Sequence, residues 1–175
     1  LPIWFLLGAD HACHKRDETW VSLYEGKMVQ MFDHRAARFV VDPANLFRPS
    51  RPMPVDDTEK TDPQFTVKSH FYVPLAAVEE RLGDAAAPWH LGFKEITAPT
   101  NERTFIAAAL PPVGFGNKVP LVCFADAAGR RRGYLLLANL ASFVLDFACR
   151  QKLHGQTLNY FVVKQLPVLP PSAYE

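Results

Sequence analysis

The stretch from Tyr134 to Lys152 limits the available folds more than any other part of the chain. Leu135, Leu136, Leu137, Leu140, Phe143, Val144, Leu145 and Phe147 make it apolar nearly all round. A segment of this length and pattern reads as one long helix buried against a sheet. Asn139, Ser142 and Asp146 interrupt the apolar run and argue against a membrane span. Arg150 and Lys152 fall at its C-terminal end, where the helix dipole favours cations. Gly155 stops it, Leu158–Leu166 returns as a strand or short helix, and Pro167, Pro170 and Pro171 end the fold.

A buried helix needs a sheet, and three candidate strands precede it. Trp89–Ala98 alternates apolar Trp89, Leu91 and Phe93 with His90 and Lys94, and Pro99 ends it. Thr104–Leu110 is a short run of small and branched residues closed by proline, which reads as a buried strand. Val119–Phe124 is the third. Between the first two lies the polar run Thr97–Arg103, at the mouth of a core strand, where side chains that touch something outside are commonly held. Asp126–Gly129 reads as a turn leading into three adjacent bases, Arg130, Arg131 and Arg132.

The first half is less regular. In Trp20–Phe39, Leu23, Met28, Met31 and Phe32 give a weak helical stripe that Gly26 interrupts. Val40–Pro74 holds six of the 15 prolines and the acidic patch Asp56, Asp57 and Glu59; residues 42–74 are expected to form a long irregular arm. Val73–Leu82 reads as a short helix with Leu75, Val78 and Leu82 on one face, closed by Gly83. The expectation is an α+β fold: one domain over residues 1–175, with a small mixed or antiparallel sheet packed on one long C-terminal helix and a Pro-rich arm.

Charge bears on partners. The formal net charge is only +1, so no global polyelectrolyte signature is present. From Ala85 onward, however, nine Lys/Arg face five Asp/Glu, a mild excess of positive charge. The three cysteines are scattered and odd in number, which argues for a reducing, cytoplasmic setting rather than a disulfide framework. Asp10, His11, Cys13 and His14 lie in a polar run, Gly8–Thr19, but the second Cys/His pair of a closed zinc site is missing; a solvated loop is expected. The chain opens without Met in the apolar run Leu1–Leu7, expected to be a strand or part of a helix, and reads as a fragment of a longer protein.

Catalytic signatures are lacking. Gly114-Phe-Gly116-Asn-Lys118 does not complete a phosphate-loop or dinucleotide pattern. No Gly-x-Ser-x-Gly and no zinc-protease motif occurs. Asp56, Asp57 and Glu59 lie in the Pro-rich arm, a poor place for a two-metal centre. Asp33-His34-Arg35 is too common a string to imply a triad, although a small hydrolase using Asp33 and His34 is one rival reading. The residues favour a binding or specificity module over a complete enzyme.

Three blocks together carry a resemblance: LYEGKMVQMFDHR (Leu23–Arg35), TNERTFIAAALPP with the following GFGNKVPL (Thr100–Leu121), and LLLANLASFVLDFACRQKLHGQTLNYFVVKQLPVLPP (Leu135–Pro171). In this order they resemble the C-terminal target-recognition region of large adenine-specific DNA methyltransferases, including type IIG restriction–modification enzymes and phage-defence methylases. The Leu-Pro-rich ending also resembles that of type I specificity-subunit recognition domains. The resemblance covers most of the chain and is least in Asp42–Lys68. It implies a methyltransferase parent that uses S-adenosylmethionine, with cofactor and catalytic motifs N-terminal to this region and absent from this sequence. The chain itself is then expected to bind no cofactor and no metal and to catalyse nothing. Its implied partners are double-stranded DNA and the methyltransferase domain, not a membrane; its implied task is to grip duplex DNA so that a flipped adenine reaches that domain.

Base edges are read by Arg or Lys on guanine, Asn or Gln on adenine and carboxylates on cytosine. Asn101, Glu102 and Arg103 supply three of these classes side by side; alternatively, Glu102 and Arg103 form a structural ion pair or anchor a phosphate. Arg130, Arg131, Arg132, Lys94 and Lys118 are the expected phosphate contacts, and Arg35 and Arg38 are expected to face the DNA backbone or the catalytic domain. Tyr160 and Phe161 are expected in the core rather than as base-stacking platforms. The rival of a different class is a protein-interaction domain that docks a partner subunit of a defence complex through the Pro-rich arm.

Overall fold

The computed structural model describes residues 4–5, 19–42, 44–45, 47 and 50–174. Nine strands are placed among them: β1 (Trp4–Phe5), β2 (Trp20–Tyr24), β3 (Ala37–Val41), β4 (Ser50–Pro54), β5 (Phe71–Pro74), β6 (His90–Phe93), β7 (Ala107–Leu110), β8 (Gly114–Phe115) and β9 (Leu121–Val122). The α-helices are α1 (Asp57–Lys60), α2 (Leu75–Leu82), α3 (Ala127–Arg131), α4 (Gly133–Leu140), α5 (Phe143–Lys152) and α6 (Tyr160–Val163). The α+β class is as expected, but the strands form three small sheets, in the orders β1-β5-β2-β8, β3-β4 and β7-β6-β9. The run Gly8–Thr19, with His11, Cys13 and His14, lies outside the described residues apart from Thr19.

The β7-β6-β9 sheet is the central wall. Side chains alternate across a strand, and Ala107 joins Leu91, Phe93, Phe105, Leu140, Leu145 and Cys149 in one core. Ala108 and Leu110 face the other way and join Tyr24, Met28, Val29, Phe39, Val55, Val67 and Val119 in a second core. Both faces are covered except at Ala109, which is exposed, so β7 reads as an unbroken apolar run rather than an alternating one.

The long helix expected over Tyr134–Lys152 is two helices, α4 and α5, bent by 65° at Ala141–Ser142. Ser142 is the cause. Its backbone is extended, and its side-chain oxygen accepts the N–H of Leu145 at 3.2 Å, which caps a new helix. Nor is the segment buried all round: Phe143, Val144 and Phe147 are exposed. Among the described residues no single helix is long and apolar enough to cross a membrane.

The arm is more ordered than its prolines suggest. β4 pairs antiparallel with β3, from Ala37↔Pro54 to Val41↔Ser50, and Pro52 and Pro54 are tolerated because β4 is an edge strand. The acidic patch begins α1: the Asp56 carboxylate accepts the N–H of Thr58 at 2.8 Å, and Glu59 accepts the N–H of Asp56 at 3.2 Å. Val55 and Val67 are buried in the second core.

The helical stripe expected in Trp20–Phe39 is also corrected. That stretch forms β2, a 3-10 turn at Gly26–Met28, a tight turn at residues 30–33 and the start of β3. The helix expected over Val73–Leu82 is α2, ended by Gly83 at φ +50°, a left-handed value that favours glycine. The turn expected at Asp126–Gly129 is instead the start of α3, with Asp126 accepting the N–H of Gly129 at 2.6 Å.

Candidate nucleic-acid interface

The sequence-derived candidates separate into those with intramolecular duties and those facing outward. Arg103 belongs to the first group. Its guanidinium donates to the carbonyl of Ala141 and, at 3.4 Å, to that of Ser142, and it lies 4.5 Å from the Phe143 ring centroid. It thus satisfies the Ala141 carbonyl freed where α4 breaks, while the Ser142 carbonyl also accepts the Asp146 N–H that starts α5. Its carboxylate partner is Asp146, at 3.7 Å, rather than the adjacent Glu102. Asp146 is only 4% exposed, and its Oδ1 accepts the N–H groups of Thr104 and Phe105 at 2.8 and 2.7 Å. Arg150 donates to the other carboxylate oxygen at 3.2 Å and to the carbonyls of Asn101 and Glu102. The Asn101 and Glu102 side chains stay at the surface on a backbone held from behind, with Asn101 donating to the Thr97 hydroxyl at 3.3 Å.

Arg35 and Arg38 tie the arm down. Arg35 donates to the carbonyls of Lys60 at 3.0 Å, Asp62 at 3.4 Å and Phe65 at 3.5 Å. Arg38 pairs with Glu59. Lys60 reaches Asp33 at 2.9 Å. Burial pushes the Asp33 carboxyl up, but the hydrogen bonds from Lys60 and from the Arg35 backbone reverse this and leave it below its ordinary value. The Asp33 carboxylate is therefore engaged with Lys60 and the Arg35 N–H, and His34 lies flat near Tyr24 with ring centroids 6.4 Å apart.

Lys94 and Lys118 converge on Gly26. An added Cβ there would lie 3.6 Å from the Lys94 Cγ and 3.0 Å from the Lys118 carbonyl, which brings Lys27 into the same neighbourhood. Burial, then the charge of Lys27, hold the Lys94 ammonium below its usual value. Lys118 pairs with Glu95 at 2.8 Å. The Gly114–Lys118 segment forms β8 and a turn, in which the Val119 N–H donates to the Gly116 carbonyl, and β9 follows. The segment runs from β8 into β9 with no helix N-terminus to receive a phosphate, so it is not the phosphate loop of a nucleotide cofactor.

Arg130 and Arg131 are different. Both line a shallow depression with Trp89, Ala109, Tyr134 and Leu137. A second depression shares Trp89, Ala109 and Leu137 with it and continues to Phe32, His34, Leu110 and Pro111. Their volumes are about 380 and 400 Å³. Arg132 lies at the exposed C-terminal end of α3. Gly133 sets the floor: an added Cβ would meet Phe124 at 2.7 Å and Trp89 at 2.8 Å, so only glycine lets α4 start this close to the Trp89 ring. His90, behind Trp89, is buried, and burial followed by the Arg130 charge holds its imidazole below the ordinary value.

Phe32, Trp89 and Tyr134 are the groove residues that sequence reasoning missed. Strand and helix periodicity assigned each to an element and could not show Trp89 and Tyr134 lining one depression with two arginines, or Phe32 and Trp89 lining its neighbour. The placement of Tyr160 and Phe161 is corrected as well. Tyr160 is half exposed, donating to the Leu121 carbonyl at 3.0 Å, and Phe161 is exposed. Comparison of the chain with family models, with curated proteins and with solved structures returned no match.

Proposed function

We propose that this chain is the DNA target-recognition module of an adenine-specific DNA methyltransferase of restriction–modification or phage-defence type. The carrying observation is the groove that sets Arg130 and Arg131 beside Trp89 and Tyr134. Guanidinium groups meet phosphates, and flat aromatic faces beside them suit bases or sugars. The three-block resemblance supports the same reading. On it, Lys94 and Lys118 add phosphate contacts near Lys27, and Asn101 and Glu102 remain exposed for base edges. The chain lies in the cytoplasm, and S-adenosylmethionine chemistry belongs to a catalytic domain outside it.

Fluorescence anisotropy on labelled duplex DNA at rising salt tests this. Binding that weakens steeply with salt is expected, because phosphate contacts release counterions. Salt-insensitive binding, or none even with the methyltransferase domain joined, would overturn it.

A second reading has its own support. Phe143, Val144 and Phe147 present an exposed apolar face on α5, at 81%, 77% and 64% exposure. Such a face is what a protein-docking domain needs. Stable co-purification with a partner subunit and no affinity for DNA would favour it.

A further inference from the structure

We infer that Phe32 is a stacking residue that engages a DNA base displaced from its helix, with the flanking phosphates on Arg130 and Arg131. The inference rests on the DNA-recognition reading above.

The backbone carries the first part of the argument. Gln30 and Asp33 exchange two hydrogen bonds, N–H of Gln30 to the Asp33 carbonyl at 2.8 Å and N–H of Asp33 to the Gln30 carbonyl at 3.0 Å. Met31 and Phe32 form the two-residue tip. Phe32 has φ +60°, and no other non-glycine residue among those described has a positive φ. Turns of this shape place Gly or Asn there, because a Cβ crowds the backbone. A bulky aromatic at such a position is strained, and the strain is maintained only because both flanks are fixed. Met28 and Val29 are fully buried just before the tip, and Ala36 donates to the Met28 carbonyl at 3.0 Å just after it. Asp33 is held by Lys60, and Arg35 is held by three carbonyls of the arm.

The side chain carries the second part. Phe32 is 74% exposed, so it contributes little to either core. Burial therefore does not explain a phenyl ring where glycine would be easier. The ring instead borders the depression with His34, Trp89 and Pro111, and that depression shares Trp89, Ala109 and Leu137 with the one lined by Arg130, Arg131 and Tyr134. The first offers flat rings, and its neighbour adds paired guanidinium groups. That division matches a single nucleotide, whose base is a flat π-surface and whose phosphate is an anion. A base within an intact duplex cannot present its face to a side chain, so the nucleotide must be unstacked.

The test compares two labelled duplexes of equal length, one fully paired and one with a single unpaired base, using the whole chain. The wild-type protein should bind the second more tightly. Phe32→Gly should lose that preference by about tenfold, in keeping with the alanine-scan worth of one base–aromatic stack, while binding to paired DNA keeps its salt dependence. Phe32→Tyr should retain the preference. Because glycine suits φ +60°, Phe32→Gly should melt no lower than wild type, which separates lost stacking from lost folding. Phe32→Asn, which also tolerates this backbone, serves as the second variant. If all four proteins bind both duplexes alike, the stacking role is wrong and the DNA reading survives. If none binds DNA, the DNA reading fails and the stacking role falls with it.

Discussion

Arg103 Nε stands 3.7 Å from Oδ1 of Asp146, the buried carboxylate that also accepts the backbone N–H groups of Thr104 and Phe105. This pair joins the polar run before β7 to the helix break behind it. Asp146→Ala would leave two N–H groups and parts of two guanidinium groups unanswered in a buried place. A loss of about 3–5 kcal/mol is expected, the usual result of breaking a buried ion pair from one side. Asp146→Asn, which keeps one acceptor, should lose less. Urea unfolding monitored by circular dichroism measures both, and an unchanged midpoint for the alanine variant would contradict the assignment.

Arg103 and the pair Arg130/Arg131 should respond oppositely to salt analysis. If both groove arginines contact phosphate, Arg130→Ala with Arg131→Ala lowers the magnitude of the log K against log salt slope by about 1.8. Arg103→Ala should leave that slope unchanged, because its guanidinium is engaged within the protein, while lowering the urea midpoint. Equal slopes for all three proteins would remove the groove arginines from the interface.

Stability should fall on mild acidification. Burial holds the imidazoles of His34, His70 and His90 below 6.5, with Arg35 adding to the effect at His34 and Arg130 at His90. As pH drops below about 6.5, the unfolded chain takes up protons at these sites before the folded one does. Their contribution is therefore fully present above that pH and is lost as pH falls toward the folded values. Comparing urea midpoints at pH 7.5 and 5.5 for wild type and His90→Gln isolates one site. The variant should lose less stability across this interval.

The thiols should differ in reactivity. Burial, and secondarily the Asp146 charge, push Cys149 up to about 12, whereas Cys123 is exposed. A thiol reagent at pH 8 should modify Cys123 in the native protein and Cys149 only after denaturant is added. Peptide mapping by mass spectrometry distinguishes them, and rapid native labelling of Cys149 would contradict its burial.

Gly133→Ala should be costly although alanine is the better helix former. The added Cβ meets Phe124 and Trp89 at 2.7 and 2.8 Å, and overpacking of this kind destabilises by about 1–3 kcal/mol. The near-ultraviolet circular dichroism of Trp89 should change with it. An unperturbed spectrum and midpoint would mean the two rings yield freely.

Local signals were legible where they pointed to local causes. β6, β7 and α2 fall inside segments bounded in the sequence by Pro99, Pro111 and Gly83, and β9 lies within Val119–Phe124. The break at Ser142 was legible in principle, since a Ser that precedes an acidic residue in the first turn is a helix-start signal. The surrounding leucines obscured it. Leu23, Met28, Met31 and Phe32 fit a helical stripe by spacing, yet they lie on a strand, a 3-10 turn and a tight turn. Periodicity could not tell these apart over so short a run. The partners of Arg103 lie 38 to 43 positions away along the chain, and those of Arg35 lie 25 to 30 away. Such distances leave no trace in local pattern, so cations with intramolecular partners could not be separated from outward-facing ones by sequence alone.

The central sheet has a consequence for how damage spreads. Leu91, Phe93 and Ala107 face a core drawn wholly from the second half of the chain, while Ala108, Leu110 and Val119 complete a core drawn mainly from the first. The dependence is one-sided. The later residues own an entire interior, and the earlier ones borrow a wall from them. A lesion in β7 should therefore register on both sides, whereas loosening β3 and β4 should leave α4, α5 and their packing intact. Hydrogen exchange would display this as a hierarchy of openings, with the β3–β4 hairpin exchanging through partial unfolding and β6–β7 only through the global event.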